Sequence, residues 1–293
     1  MGIFLGLVAA VGWGAGDFLA RHVTHRIGTY RTLLFIQLAG VCGLSVFLLS
    51  TGELQHLLAG ASWQAWAWAM LAVLLNVLST ASLYRAFEVG TLMLVSPIAA
   101  SYAAVTVLLA VLSGETLSHL HDIGIGIVLL GVIAAATPLV KLPARQELPD
   151  KGKSKAVPGI IWALLAAVSY GITFWLLGFR VTPVLGSVVP IWLIRLMTPC
   201  LLTVCAPLLR QSIRLPRGRI WWAIIGVSVL DTLAYVAYAF GITLGQVSII
   251  TVLSSLYSVV TVILAWIFLR EQLQSSQWFG VGAIFVGVAL VNM

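Results

Sequence analysis

Long apolar stretches, separated by short polar segments, run through the whole chain of 293 residues. A helix needs about 20 apolar residues to cross the hydrocarbon core, and an open sheet leaves backbone polar groups unpaired in lipid. The pattern therefore predicts an all-α, polytopic membrane protein with ten transmembrane helices. The predicted spans are residues 2–20, 32–50, 65–84, 91–111, 123–140, 158–178, 187–208, 220–240, 247–268 and 278–292.

The second half of the chain repeats the first at a nearly constant offset. The segment that starts at Gly2 overlays the one that starts at Gly159. An odd number of spans per repeat inverts the second copy in the membrane, which is typical of alternating-access carriers. We therefore predict two inverted five-helix repeats, residues 1–140 and 158–293, joined by a basic linker, 141–157. The paired positions are Trp13 with Tyr170, Gly14 with Gly171, Gln37 with Arg195, Asn76 with Asp231, Tyr102 with Tyr257, Glu115 with Glu271, and Gly124, Gly126 and Gly131 with Gly280, Gly282 and Gly287.

Composition agrees with lipid as the solvent. Hydrophobic residues make up 61% of the chain and charged residues only 9%, against about 25% charged in an ordinary soluble domain. The net charge of +7 lies in short loops and forms no stripe, so nucleic acid is not an expected partner. The three cysteines fall inside apolar segments, which predicts neither a disulfide framework nor a metal site, and we expect no cofactor.

The distribution of Lys and Arg predicts the orientation. Fourteen of these residues fall on one side of the predicted spans and only Arg180 falls on the other. Because positive loops stay in the cytoplasm, the linker is predicted to be cytoplasmic and both termini outside, in the cytoplasmic (plasma) membrane. The first span follows Met1 with no basic residue before it, so we expect it to be retained rather than cleaved as a signal peptide.

Several motifs resemble the EamA branch of the drug/metabolite transporter superfamily. The residues that carry the resemblance are Trp13-Gly14, the stretch 84–97, and Gly114-Glu115 with the glycines that follow it, while Val252 stands where Pro97 predicts a second proline. The resemblance covers essentially the whole chain. It implies two tandem five-helix domains around a central cavity, and secondary transport, often export of amino acids or related metabolites. Many relatives are thought to keep both termini in the cytoplasm, which conflicts with the charge distribution here.

Three ionisable residues fall inside predicted spans, namely Asp17, Arg195 and Asp231. Each costs roughly 2.5 to 3.5 kcal/mol on insertion, so such groups usually face the interior and are often functional. Asp231 shares a helix face with Tyr235 and Tyr238. Asp231 and Arg195 could hold opposite ends of a zwitterion, or an aspartate could exchange a proton. The alternatives are a structural ion pair between Arg195 and Asp231, and an interfacial place for Asp17 beside Arg21.

Aromatic residues at repeat-related positions could form walls around a bound molecule, although packing between helices is the alternative. Pro97 can break the fourth helix and free a carbonyl. The predicted substrate-binding residues are Trp13, Asp17, Asn76, Tyr102, Tyr170, Arg195, Asp231, Tyr235 and Tyr257.

Other classes of protein fit the sequence less well. Residues 14–17 spell GxGD, as in intramembrane aspartyl proteases, and Asp231 could be the second aspartate of such a site. However, no Pro-Ala-Leu occurs, and the two aspartates lie in the first and the eighth predicted helix. A phosphate-binding loop is absent, and no ring of charges indicates a channel. We therefore expect a monomeric secondary transporter, not an enzyme. Its expected partners are a small-molecule substrate and the lipid bilayer, and coupling to protons is one of the alternatives left open.

Overall fold

The structure is a computed structural model that describes residues 1–51, 62–90, 92–136 and 156–269, with short stretches between 278 and 290. Within those residues the chain is helical and contains no strand. A π-helical turn, Leu177–Val181, joins the α-helices Ala156–Leu176 and Thr182–Leu185. The helices are α1 Gly2–Ile27, α2 Thr29–Thr51, α3 Trp63–Val89, α4 Leu92–Ala100, α5 Tyr102–Leu112, α6 His119–Ala136, α7 Ala156–Leu176, α8 Thr182–Leu185, α9 Val189–Cys205, α10 Ile220–Leu244, α11 Val247–Ser255 and α12 Tyr257–Leu269.

Seven segments are long and apolar enough to cross a membrane, so the chain is a multi-pass membrane protein. Two further apolar helices, His119–Gly131 and Val189–Cys205, are shorter. The described residues leave out most of the predicted last span and all of the predicted linker except residues 156–157, which begin the helix Ala156–Leu176. The count of ten stays a prediction. The seven segments are Gly2–Ile27, Thr29–Leu49, Trp63–Val89, Val95–Leu112, Gly159–Leu185, Ile220–Leu244 and Val247–Phe268.

The first connection is shorter than the sequence predicted. We expected a loop over residues 21–31, but α1 continues to Ile27 and α2 starts at Thr29. Only Gly28 separates them, and its φ of 81° is one that glycine adopts without steric cost. Arg21 and Arg26 therefore lie on a helix that extends beyond the predicted span.

The fourth predicted span of each half is two helices rather than one. The break falls at Ser101 between α4 and α5, and at Leu256 between α11 and α12. These two positions correspond in the repeat alignment, and each break is followed by a tyrosine, Tyr102 or Tyr257. Both broken helices therefore present a repeat-related tyrosine at the start of their second segment.

Serine hydroxyl groups accompany both breaks. Ser101 donates to the carbonyl of Ile98 at 2.7 Å, and Ser255 donates to the carbonyl of Val252 at 2.7 Å. A hydroxyl that bonds a carbonyl three residues back competes with the helical backbone ladder. Pro97 lies inside α4 as expected, yet the second half breaks without a proline.

Two glycines allow equivalent close contacts between the halves. A Cβ on Gly14 of α1 would lie 2.5 Å from Cβ of Val260 in α12. A Cβ on Gly171 of α7 would lie 2.4 Å from Cβ of Val105 in α5. Neither position has room for a side chain, so the first helix of each half packs directly on the broken helix of the other half.

Hydrogen bonds repeat the same relation. Thr261 donates to the carbonyl of Gly14 at 3.2 Å, and Thr106 donates to the carbonyl of Gly171 at 3.0 Å. The two threonines correspond in the repeat alignment, as do the two glycines. Matched contacts of this kind are what a pseudo-twofold axis between the halves would produce.

Candidate functional site

A small cavity with a free volume of about 30 Å³ lies among helices of both halves. Its walls come from α1, α3 and α5 of the first half and from α7, α10 and α12 of the second. Most of the lining is aromatic, and two carboxylates, those of Asp17 and Asp231, also face it. The lining residues are Trp13, Asp17, Thr80, Leu83, Tyr84, Tyr102, Tyr170, Phe174, Asp231, Tyr235 and Tyr257.

A buried ion pair adjoins this cavity. Nη1 of Arg195 lies 2.8 Å from Oδ2 of Asp231 and donates at 2.6 Å to Oε1 of Gln37. The Arg195 side chain is fully buried, whereas the Asp231 side chain is 17% exposed. The guanidinium carbon also lies 5.5 Å from the centre of the Tyr235 ring, within range of a cation–π interaction.

Gln37 and Arg195 correspond in the repeat alignment, so their direct contact is informative about symmetry. Residues at equivalent positions in two repeats can touch each other only near the axis that relates the repeats. Tyr102 and Tyr257 are a second such pair, with ring centres 6.2 Å apart and planes 18° apart. Both pairs mark the region of the cavity as the place where the halves meet.

Asp17 lines the cavity. Its residue exposure is 8%, and it lies one turn after Trp13 on the same face of α1. Among the described residues, no hydrogen bond or ion pair to its carboxylate is found. Asp17, Asp231 and Arg195 together therefore give the site two acidic groups and one basic group.

Phe174 is the centre of the aromatic wall, and the sequence did not single it out. Its ring centre lies 5.4 Å from that of Trp13, 4.9 Å from that of Tyr102 and 4.7 Å from that of Tyr238. Trp13 also meets Tyr235 edge to face at 5.0 Å. Because tilted and edge contacts between rings are favourable, these side chains fix one another in place.

Hydrogen bonds hold the polar ends of the tyrosines. Asn76 donates through Nδ2 to the hydroxyl of Tyr235 at 2.6 Å. The hydroxyls of Tyr170 and Thr80 are 2.8 Å apart. In the repeat alignment Asn76 corresponds to Asp231 and Thr80 to Tyr235, so α3 and α10 supply polar groups from matching positions.

The structure brings the nine predicted site residues together. Seven of them line the cavity, and the other two, Asn76 and Arg195, contact the side chains that do. Their role in binding a substrate stays a prediction. The lining residues that sequence reasoning missed are Thr80, Leu83, Tyr84 and Phe174. Phe174 had one usable signal, its place one turn after Tyr170.

A polar contact joins the halves at the side opposite the basic loops. The carboxylate of Glu115 accepts the backbone N–H of Ser248 at 3.1 Å and also the Ser248 hydroxyl. Gln246 donates to the carbonyl of Thr116 at 2.8 Å. Ser248 lies in the first turn of α11, where a carboxylate is favourable for the helix dipole.

Comparison with known proteins places the chain in a family. The model of the EamA-like transporter family matches residues 1–137 and again residues 157–293. The chain belongs to the EamA-like transporter family. The expected resemblance is thus confirmed, and the chain is a multi-pass membrane protein of a transporter family.

Other comparisons add the fold alone. No curated protein matches the chain. A solved crystal structure, described only as that of a protein, is similar with a TM-score of 0.73 and 18% sequence identity. The similarity covers 99% of this chain and 96% of that one. At this identity, the likeness supports the helical architecture and says nothing about the substrate.

Proposed function

We propose that this EamA-like protein is a secondary transporter that carries a small amine-bearing metabolite by alternating access around the cavity. The observation that carries the proposal is the placement of Asp17 and the Arg195–Asp231 pair at an aromatic cavity between two related halves. Inverted halves that rock around a site near the middle of the membrane can open it to either side in turn.

The charge of the site favours a cation. Two carboxylates and one guanidinium leave one negative charge in excess when all three groups are ionised. An uncompensated charge is costly away from water, so it must be neutralised by a proton or by a cationic group of the substrate. Competition at Asp17 between a proton and the cationic group of the substrate would couple substrate movement to a proton gradient.

The aromatic walls favour the same class of ligand. Trp13, Tyr102, Tyr170 and Tyr257 line the cavity, and the faces of such rings attract ammonium groups. The free volume of about 30 Å³ is that of about one water molecule, so the walls have to move apart when a metabolite binds. An amino acid or a related zwitterion fits if its carboxylate replaces Asp231 at Nη1 of Arg195.

Catalysis by the two aspartates is the rival function, because Asp17 and Asp231 line the same cavity. An aspartyl protease needs two carboxylates that share one proton. Here Oδ2 of Asp231 lies 2.8 Å from Nη1 of Arg195, so this oxygen already has a partner other than a second carboxylate. Transport is therefore the better proposal, and we propose that the chain is not an enzyme.

The location of the protein follows from charge and from the family resemblance. We propose that it acts as a monomer in the cytoplasmic membrane, with linker 141–157 inside and both termini outside. Export is the direction that the resemblance implies. Another cavity, lined in part by Arg31, Arg85 and Glu88 beside the basic loops, would then open to the cytoplasm.

The experiment is a screen of metabolites in proteoliposomes that contain the purified protein, with and without a pH gradient. The active compound is then tested with Asp17→Asn, and with Asp122→Asn as the matched control, since Asp122 is an exposed carboxylate outside the cavity. We expect Asp17→Asn to lose stimulation by the gradient and Asp122→Asn to keep it. Equal behaviour of the two variants would contradict the proposal.

A further inference from the structure

A second cavity, unlike the first, is almost entirely apolar. It has a free volume of about 330 Å³ and lies between α2 and α10. Gly43, Phe47 and Leu233 line it and are exposed on the outer surface of the helices. Because the chain spans a membrane, this crevice faces lipid rather than water.

Unpaired hydrogen-bond donors lie in and behind the wall of the crevice, around Gly40. Within the described residues, Nε and Nη2 of Arg195 and the hydroxyl of Thr232 are buried without a partner. Thr232 lines the crevice together with Gly40. A Cβ on Gly40 would lie 3.1 Å from the Thr232 hydroxyl and 3.2 Å from Nε of Arg195. The Thr232 hydroxyl and Nε of Arg195 therefore both lie beside Gly40.

Buried donors without acceptors destabilise a protein, and a charged donor such as a guanidinium costs more to leave unpaired than a neutral one. Nη1 of Arg195 is already used by Asp231 and Gln37. An acceptor that enters the crevice from the bilayer and reaches Gly40 would serve the Thr232 hydroxyl and Nε of Arg195.

We propose that the crevice binds an uncharged lipophilic molecule whose carbonyl oxygen accepts hydrogen bonds from Arg195 and Thr232 while its apolar chain fills the space between α2 and α10. A carboxylate is disfavoured, because Asp17 and Asp231 already outnumber Arg195. An amine is disfavoured, because the free groups are donors. A carbonyl oxygen meets both conditions and enters from lipid at little cost.

This site stands apart from the proposed transport of a metabolite, since binding at the crevice requires no movement of a substrate. Its test is therefore a binding experiment. The full-length protein in lipid nanodiscs is photolabelled with a long-chain alkyl ketone that carries a diazirine, and the labelled peptides are identified by mass spectrometry. An alkane diazirine of the same length reports general contact with lipid.

Two variants test the two parts of the inference, the apolar space and the hydrogen-bond donor. Gly43→Leu fills the crevice, and no heavy atom lies within 4 Å of the added Cβ, so folding should tolerate it. Gly126→Leu is the matched control, because its Cβ also enters open space but lies on α6 outside the crevice. Thr232→Val removes one donor with almost no change of volume.

We expect ketone labelling of α2 and α10 to exceed alkane labelling by about tenfold, the effect of one hydrogen bond to a charged group. Gly43→Leu should abolish this excess, Thr232→Val should reduce it, and Gly126→Leu should leave it unchanged. Equal labelling by ketone and alkane, stronger labelling by an alkyl carboxylate, or an unchanged excess in both Gly43→Leu and Thr232→Val would overturn the proposal.

Discussion

The close packing of α1 and α7 on the broken helices makes a quantitative prediction about two glycines. In Gly14→Ala the new Cβ would lie 2.7 Å from the backbone oxygen of Tyr257, and in Gly171→Ala it would lie 2.9 Å from the backbone oxygen of Tyr102. A backbone atom cannot rotate away as a side chain can. One helix must therefore move relative to the other.

Overpacking of this kind costs about 1–3 kcal/mol. Because each added Cβ meets a backbone oxygen, these two variants should lie near the upper end of that range. We expect each to lower the free energy of unfolding by about 2–3 kcal/mol. Gly16→Ala is the matched control, because its Cβ would meet no heavy atom closer than 3.8 Å. Alanine in a helix interior is favoured over glycine by about 0.5–1 kcal/mol, so this control should be neutral or more stable.

The assay is equilibrium unfolding of the purified protein in detergent micelles, followed by the loss of helical circular dichroism. Gly14→Ala and Gly171→Ala must both differ from Gly16→Ala, and they must resemble each other because their contacts match. If Gly14→Ala proves as stable as Gly16→Ala, the close contact between the halves is wrong.

Further predictions concern the ion pair, the interhalf contact, the cavity wall and the topology. Arg195→Met should lower the free energy of unfolding by about 3–5 kcal/mol because it leaves Asp231 unpaired, and adding Asp231→Leu should recover most of the loss in the same unfolding assay. Glu115→Gln should cost about 1 kcal/mol, since it removes the carboxylate charge that contacts Ser248 in the first turn of α11, and unchanged stability would show that the contact contributes nothing. Phe174→Ala should enlarge the cavity, so that bulkier analogues compete better for transport than they do in the unchanged protein. Reporter fusions to the carboxy terminus should report the outside, and a cytoplasmic signal would show that the family tendency outweighs the charge distribution here.

Repeat symmetry explains why most of the cavity could be predicted from the sequence. Polar residues inside apolar spans are few, and the alignment paired Trp13 with Tyr170 and Asn76 with Asp231. An inverted repeat would bring such paired positions toward a common axis. The alignment therefore gave spatial information that helix periodicity alone lacks.

The missed residues show the limit of that reasoning. Leu83 and Phe174 line the cavity, but an apolar side chain in a membrane helix looks the same whether it faces lipid or a cavity. The break at Leu256 was missed for a different reason, because Pro97 was the only expected cause of a break. Serine hydroxyls at positions such as Ser255 bond the helix carbonyls there, and serines are common in membrane helices.

The central claim is that the cavity carries a substrate across the membrane in alternate conformations, and counterflow tests it most directly. Proteoliposomes are loaded with the unlabelled compound from the metabolite screen, and the uptake of the labelled compound is followed without any ion gradient. A carrier predicts that the internal compound accelerates uptake and that the rate saturates with external concentration. Uptake that rises linearly and ignores the internal compound would indicate a pore and would contradict the account.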